Sequence, residues 1–132
     1  QDEIAQFDLF KDFVVSDYDV YKSMIFAKIT LSADEFRLYK KVFALMYRTI
    51  VKPKKYVYLY QNTERLIENI QKRGREYEQN IPVSYLESIN KGYLQFIKSL
   101  PKKTTKIIDL SDINFVEHRS DYIFILKEIL KI

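Results

Sequence analysis

Glycine is scarce in this sequence, with only Gly74 and Gly92 among 132 residues. Glycine-rich phosphate loops, such as GxxxxGK[ST] and GxGxxG, need glycines at fixed spacings because their backbone approaches a phosphate closely. Two isolated glycines fit neither pattern. The 132 residues therefore contain no phosphate loop of either kind.

Cysteine is absent, and histidine occurs once, as His118. These counts exclude a cysteine nucleophile, a zinc site built from Cys and His, and a Ser-His-Asp triad that does not use His118. They identify no metal ligands. Because His118 is isolated from other candidate catalytic residues, we expect it at the surface.

Long apolar runs are also missing, since none approaches the ~18 residues that span a bilayer. The first residues, Gln1-Asp2-Glu3, do not resemble a signal peptide. We therefore expect a cytoplasmic protein without a membrane partner. The net charge is only +4, from 22 Lys and Arg against 18 Asp and Glu. This excess suits a phosphate-bearing ligand but is too small to indicate nucleic acid.

The chain is rich in core-forming side chains. Hydrophobic residues make up 47% of it, and it contains 11 Tyr and 9 Phe. This composition excludes an intrinsically disordered chain. The length fits one domain over residues 1–132.

Three short apolar runs predict β-strands, at residues 13–17, 56–60 and 106–110. Each ends at a polar residue, which is typical of strands buried on both faces. Helical patterns separate the runs, so the strands should pair in parallel through right-handed crossovers. The predicted fold class is α/β, with helices on both faces of the sheet. Three strands are fewer than the usual ~5–6, which suggests a missing N-terminal part.

Helix boundaries are marked by capping residues, prolines and a glycine. Ser32 and Glu35 form a capping-box pattern, followed by an apolar face that we expect to continue until Pro53. Gly74 should end a helix over residues 63–73, and Pro82 should open the next one, which Pro101 closes. We expect a short helix over 20–27. The last helix should start near residue 120 and bury Tyr122, Ile125, Leu126 and Ile129.

Ligands of open parallel sheets bind beyond the carboxyl ends of the strands. Asp17, Gln61, Asn62 and residues 109–112 stand at those ends. Asp17 could orient a hydroxyl or a metal-bound water, and the simpler alternative is that it caps the following helix. Without further context, the capping role is favoured.

The densest basic segment is Lys72-Arg73-Gly74-Arg75. Two guanidinium groups around a glycine can hold phosphate oxygens bidentately. Cations in the last turn of a helix, with a glycine after it, are also ordinary C-terminal chemistry. Spacing alone favours this structural explanation. The tyrosines suggest base stacking, but their periodicity favours the core or its rim.

Several motifs taken together resemble the deoxynucleoside kinase family, from about residue 13 to the C-terminus. The matching pieces are residues 58–65, Arg73-Gly74-Arg75 with the acidic residues after it, Ile81-Pro82, Tyr85-Leu86, Ile107-Ile108-Asp109 and residues 114–117. The resemblance implies part of a P-loop-kinase-like fold. It also implies transfer of the ATP γ-phosphate to the 5′-hydroxyl of a deoxynucleoside, with Mg²⁺, by a homodimer that pairs through helices.

The resemblance also implies roles for individual residues. Arg73 and Arg75 would lie in a lid that closes over the phosphates, and Glu78 would contact the 3′-hydroxyl of the sugar. Residues 111–115 would flank the adenine of ATP, with Asp112 and Phe115 as its contacts. An alternative for Phe115 is that it anchors the last helix in the core.

This sequence also departs from the family pattern. Asp17-Tyr18-Asp19 stands where the family usually has Asp/Glu-Arg-Ser. Asp17 matches the family's acidic residue and is a catalytic candidate. The arginine that helps the acceptor hydroxyl in the family is not evident here. Asn69 replaces a further lid arginine of some relatives. The phosphate loop, the catalytic carboxylate and most of the nucleoside-binding helix would lie upstream of this chain.

We therefore expect the C-terminal part of a deoxynucleoside kinase, inactive by itself and prone to associate through an uncovered sheet edge. Its parent could carry a fused hydroxymethyldihydropterin pyrophosphokinase, as some similar bacterial kinases do. The first alternative is a non-catalytic binding or scaffold domain, which an intact precursor without a phosphate loop would support. The second is a nucleic-acid-binding module, which should show a steep salt dependence.

Overall fold

The computed structural model describes residues 14–131. The chain divides into two compact units, residues 1–53 and residues 54–132. The single domain expected over residues 1–132 stays a prediction. No helix within the described range is both long and apolar enough to cross a membrane.

The first unit contains two helices, α1 (Tyr21–Thr30) and α2 (Ala33–Tyr47). The predicted capping box at the start of α2 is confirmed. The backbone N–H of Ser32 donates to Glu35 Oε2 at 2.9 Å, and Glu35 N–H donates to Ser32 Oγ at 3.4 Å. Phe43 packs edge-on against Tyr21, with ring centroids 6.0 Å apart. The apolar face of α2 is therefore directed towards α1.

Helix α2 ends at Tyr47, earlier than the expected stop at Pro53. Thr49 N–H bonds the carbonyl of Met46, and Ile50 N–H bonds that of Tyr47, both at 3.4 Å. These contacts continue the chain as a turn. The β-branched run from Thr49 to Val51 disfavours further helix, and the proline disfavours helical backbone at the residue before it.

The strand predicted at residues 13–17 does not form over residues 14–17, and Phe13 lies outside the described residues. Val14 and Val15 are exposed instead. A strand requires a neighbouring strand for its backbone hydrogen bonds. Within residues 14–131, the two strands of the sheet pair only with each other. The apolar run therefore has no strand neighbour here.

The second unit is built on two parallel strands, β1 (Tyr56–Tyr60) and β2 (Thr105–Asp109), with Tyr56 opposite Thr105 and Tyr60 opposite Asp109. Helices α3 (Thr63–Arg73) and α4 (Val83–Ser99) lie between them in the chain. Helix α5 (Arg119–Leu130) follows β2. Short 3₁₀ turns cover Glu76–Glu78 and Lys102–Thr104. Strand β2 starts and ends one residue before its predicted position.

Helices cover both faces of this small sheet, as predicted. On one face Tyr58 stacks on Tyr93 of α4, with ring centroids 5.4 Å apart. On the other face Ile108 and Leu110 form a buried cluster with Ile125 of α5. The parallel pairing, the intervening helices and the two covered faces together confirm the α/β class.

Burial is less complete than the sequence suggests. Leu59 and Ile107, one in each strand, are 44% and 40% exposed, so the strands are not buried on both faces along their whole length. In α5 only Ile125 is buried, and the expected burial of Tyr122, Leu126 and Ile129 is wrong. A sheet of two strands is narrow, so it covers a single stripe of each helix.

Candidate active site

Two arginines at the end of α3 converge on one glutamate. Arg73 Nη2 contacts Glu78 Oε2, and Arg75 Nη1 lies 3.5 Å from Glu78 Oε1. The Glu78 side chain is 12% exposed, whereas those of Arg73 and Arg75 are 50% and 52% exposed. We call these three residues the Arg–Glu cluster. The structure thus brings together three of the residues singled out in the sequence.

The local backbone explains this convergence. Asn62 caps the start of α3, and its side-chain oxygen accepts the N–H of Arg65 at 2.8 Å; Gly74 caps the end of the helix. Gly74 has φ 70°, a left-handed conformation that a side chain disfavours. The chain therefore reverses after Arg73. The 3₁₀ turn then directs Glu78 back, with Glu78 N–H bonded to the carbonyl of Arg75 at 3.0 Å.

Neighbouring polar groups hold the turn. The side-chain amide of Gln79 donates to the carbonyls of Ile70 at 3.2 Å and Arg75 at 3.1 Å. Arg75 Nη1 also donates to the hydroxyl of Tyr77 at 3.1 Å. Tyr77 and, more weakly, Glu78 raise the pKa of Arg75 above its ordinary value. An arginine side chain is charged at neutral pH with or without this shift.

The chemistry of the cluster is that of an anion site with one internal counter-ion. Two guanidinium groups face one carboxylate, so one positive charge remains uncompensated within the cluster. Guanidinium groups bind phosphate oxygens through paired hydrogen bonds. A carboxylate accepts hydroxyl hydrogens. The arrangement can thus bind a phosphate and a hydroxyl close together.

The loop after β2 is tied to the loop after β1 through Ser111. Ser111 N–H and Oγ–H both donate to Asp109 Oδ1, at 2.9 and 2.7 Å, and these bonds lower the pKa of Asp109. The backbone N–H of Asn62 donates to Ser111 Oγ at 3.0 Å. The carboxyl ends of the two strands, which the sequence singled out, therefore meet at the start of α3.

The buried side-chain amide of Asn90, in α4, contacts the same end of the sheet. Tyr58 donates its hydroxyl to Asn90 Oδ1 at 2.6 Å, and Asn90 Nδ2 donates to the carbonyl of Gln61 at 2.8 Å. Burial raises the pKa of Tyr58 to about 12. Asn90 is not among the residues that the sequence predicted for the site. Its signal was a lone amide among the apolar positions of α4.

The proposed adenine loop, residues 111–115, directly follows β2. Asp112 is exposed, and Phe115 is 39% exposed. Phe115 is therefore not the buried anchor of α5 that the alternative required. Ile113, which packs against the cluster of Ile108, Leu110 and Ile125, holds the loop to the core instead.

Asp17 lies in the first unit, in an exposed irregular segment before α1. The alternative that Asp17 caps this helix is wrong, because the carboxylate of Asp19 accepts the N–H of Tyr21 at 2.8 Å. The catalytic role of Asp17 stays a prediction. His118 is exposed, as expected.

Within residues 14–131, no group of three or more His, Cys, Asp or Glu side chains is arranged to hold a metal ion. Magnesium in enzymes that use ATP is commonly held by one or two carboxylates together with the phosphates, which does not require such a group. The cationic side chains that the structure brings together beyond the end of α3 are those of the Arg–Glu cluster.

Comparison with known proteins identifies the family. Residues 2–132 match the family described as deoxynucleoside kinase. A deoxyguanosine kinase of Bacillus subtilis (strain 168) is 36% identical over 113 residues, which cover 83% of this chain and 55% of that protein. A deoxyguanosine kinase of Dictyostelium discoideum is 29% identical over 107 residues, which cover 77% of this chain and 38% of that protein. The chain thus spans about half the length of the first relative and less of the second, and it belongs to the deoxynucleoside kinase family.

Proposed function

We propose that the whole protein transfers the γ-phosphate of ATP to the 5′-hydroxyl of a deoxynucleoside. Both relatives are deoxyguanosine kinases, which makes deoxyguanosine the first acceptor to test. This chain would supply the lid cations Arg73 and Arg75, the sugar contact Glu78 and the adenine loop with Asp112 and Phe115. A cytoplasmic location and a homodimer belong to the same proposal.

The observation that carries the proposal is the convergence of Arg73 and Arg75 on Glu78. Phosphoryl transfer depends mostly on positioning and on stabilising the charge of the transferred group. A triphosphate carries more negative charge than one carboxylate, so it can draw the two guanidinium groups from Glu78. The carboxylate is then available to accept the 3′-hydroxyl of the acceptor sugar.

In the proposed reaction, the bond between the γ-phosphorus and the oxygen that bridges it to the β-phosphate breaks. A new bond forms between the γ-phosphorus and the 5′-oxygen, which loses its proton to a base. Asp17 is the carboxylate that we propose orients this hydroxyl. ATP is expected to bind with Mg²⁺. We assign the ion no ligand and no step in this chain.

These 132 residues contain no glycine-rich phosphate loop. Backbone N–H groups and a lysine of such a loop normally cradle the ATP phosphates. We therefore propose that the 132 residues by themselves do not phosphorylate deoxynucleosides. Detectable formation of a deoxynucleoside monophosphate by the purified chain would contradict this.

The test uses the full product of the gene with ATP and deoxyguanosine. Replacing Arg73 or Arg75 by Ala should lower kcat about 30- to 1,000-fold, since such contacts contribute about 2–4 kcal/mol to the transition state. The Kd of the deoxynucleoside should change little. Lysine at either position should restore only part of the rate, because an ammonium group cannot bind bidentately.

Arg119→Ala provides a matched control, because Arg119 is an exposed arginine outside the cluster. It should retain the turnover of the unmodified protein. If no deoxynucleoside is phosphorylated by the full product, the proposed function is wrong. If phosphorylation occurs but Arg73→Ala and Arg75→Ala lose only thermal stability, the two arginines are structural residues at the end of a helix.

A further inference from the structure

An ion pair joins the end of α3 to the loop between β2 and α5. Lys72 Nζ lies 3.0 Å from Glu117 Oε1, across 45 residues of sequence. The second carboxylate oxygen of Glu117 accepts the side-chain amide of Asn114 at 2.7 Å. Lys72 is the main cause of the lowered pKa of Glu117. Both oxygens of the Glu117 carboxylate are thus bound, one by Lys72 of α3 and the other by Asn114 of the loop.

The loop side of this contact is itself fixed. Asn114 Oδ1 accepts the N–H of Glu117 at 3.2 Å, and the carbonyl of Asn114 accepts the N–H of His118 at 2.8 Å. The N–H of Asn114 donates to Asp121 Oδ2, in the first turn of α5, at 3.0 Å. Glu117 is therefore presented by a folded turn that is anchored to α5.

The helix side of the contact lies next to the Arg–Glu cluster. Lys72 directly precedes Arg73 in the last turn of α3. Phe115, which we propose as an adenine contact, lies two residues before Glu117. The ion pair therefore joins the backbone that carries the lid arginines to the backbone that carries the proposed nucleotide loop.

We propose that Glu117 is a positioning residue which, through Lys72, couples the nucleotide loop to the lid arginines. The inference rests on the proposed function, since the loop and lid have these roles only in a kinase. ATP bound against the loop would then favour the placement of Arg73 and Arg75 over its phosphates. Glu117 itself touches neither the substrate nor the reacting atoms in this proposal.

The exposure of the pair agrees with such a role. The side chains of Lys72 and Glu117 are 76% and 56% exposed, so the contact is solvated. Exposed ion pairs contribute little, and salt screens them. A segment that opens and closes in every catalytic cycle needs a contact that breaks easily. The expected effects are accordingly modest, at about 2- to 5-fold.

The experiment is a double-mutant cycle in the full product of the gene, with Lys72→Met, Glu117→Gln and both together. Each single variant should raise the KM for ATP about 2- to 5-fold and leave the KM for the deoxynucleoside unchanged. The double variant should be no worse than either single one. The exchanged pair, Lys72→Glu with Glu117→Lys, should recover part of the loss in the KM for ATP, because it restores the ion pair but leaves the Asn114 amide without its acceptor.

Glu68→Gln is the matched control. Glu68, whose side chain is 63% exposed, forms an ion pair with the half-buried Arg65 at 3.0 Å within α3. Arg65 affects the pKa of Glu117 less than Lys72 does. This variant should leave the KM for ATP unchanged. An equal rise of that KM in Glu68→Gln would show a general effect of removing charge and would overturn the coupling.

Hydrogen exchange gives a second readout that does not depend on turnover. The amides of residues 73–78 should exchange faster in Lys72→Met and Glu117→Gln, but not in Glu68→Gln. If the full product is active and the two variants change neither this exchange nor the KM for ATP, the inference is wrong. Faster exchange with an unchanged KM shows a merely structural contact and also overturns it. If exchange responds but no deoxynucleoside is phosphorylated, the contact is real and the proposed function fails.

Discussion

The hydroxyl of Tyr58 donates to Asn90 Oδ1 at 2.6 Å and so joins β1 to α4. The amide of Asn90 continues the chain of bonds to the carbonyl of Gln61. Gln61 is the last residue before Asn62, where α3 is capped. A buried side chain of one helix thus fixes the point from which the helix carrying Lys72 and Arg73 starts.

Replacing Asn90 by Ala should therefore destabilise the protein. The change leaves the Tyr58 hydroxyl and the Gln61 carbonyl without their partner, at a cost of about 1–3 kcal/mol in the free energy of unfolding. Tyr58→Phe removes only one bond and should cost less, at about 0.5–1.5 kcal/mol. Urea unfolding measures both. Asn80→Ala, at an exposed position, is the control, and an equal loss there would contradict the role of the buried amide.

Glu78→Gln tests the carboxylate of the Arg–Glu cluster. If Glu78 binds the 3′-hydroxyl, this variant should lose selectivity between 2′-deoxy- and 2′,3′-dideoxynucleosides, because the neutral amide is a weaker acceptor for a hydroxyl. The ratio of kcat/KM for the two acceptors measures this selectivity. Glu76→Gln, in the same turn and exposed, should keep the original ratio. An unchanged ratio in Glu78→Gln would leave Glu78 only as the partner of the arginines.

Asp112→Ala addresses the proposed adenine loop. Because Asp112 is exposed in that loop, its removal should raise the KM for ATP more than the KM for the deoxynucleoside. Steady-state kinetics with each substrate varied in turn gives both constants. Glu87→Ala, an exposed acidic position on α4, is the matched control. An unchanged KM for ATP in Asp112→Ala would remove the assignment.

Gly74→Ala probes the reversal after α3. At φ 70° a Cβ costs roughly 1–2 kcal/mol, so thermal unfolding should move to a lower Tm. Gly74→Asn should lose less, because Asn tolerates this conformation better. Gly92→Ala lies within α4, outside the left-handed region, and should not show this penalty. If Gly74→Ala and Gly74→Asn lower the Tm equally, the limited space for any side chain, and not the backbone dihedral angle, would explain why glycine is needed at this position.

We expect the Glu128 carboxylate to stabilise the folded protein at neutral pH and to lose this effect in acid. Lys106 and Lys131 lower its pKa from 4.5 to about 2, with Lys106 Nζ 2.7 Å from Glu128 Oε2. A pKa lowered in the folded state stabilises the fold above the unfolded pKa, and this contribution disappears as the pH falls from about 4.5 towards 2. Glu128→Gln should therefore be less stable than the unmodified protein at neutral pH. The difference should vanish near pH 2, as measured by urea unfolding across this range, and a constant difference would contradict the assignment.

Local signals in the sequence were sufficient for α3. Its bounds, Thr63–Arg73, agree with the prediction because Leu66, Ile67 and Ile70 repeat at helical spacing and Gly74 follows directly. These signals act within one or two turns of the helix. The strand predicted at residues 13–17 had a comparable local signal, but a strand also needs a partner that is distant in the sequence.

The α/β class, the family resemblance, the capping box at Ser32 and the grouping of Arg73, Arg75 and Glu78 could all be predicted from sequence patterns. Each of these depends on short motifs or repeats whose own residues lie close together in the chain. The contacts of Asn90 with Gln61, of Ser111 with Asn62 and of Glu117 with Lys72 become visible only in the folded chain. These contacts join residues 29, 49 and 45 positions apart. Periodicity and spacing describe a single element, whereas such contacts exist only after parallel pairing brings the carboxyl ends of β1 and β2 together.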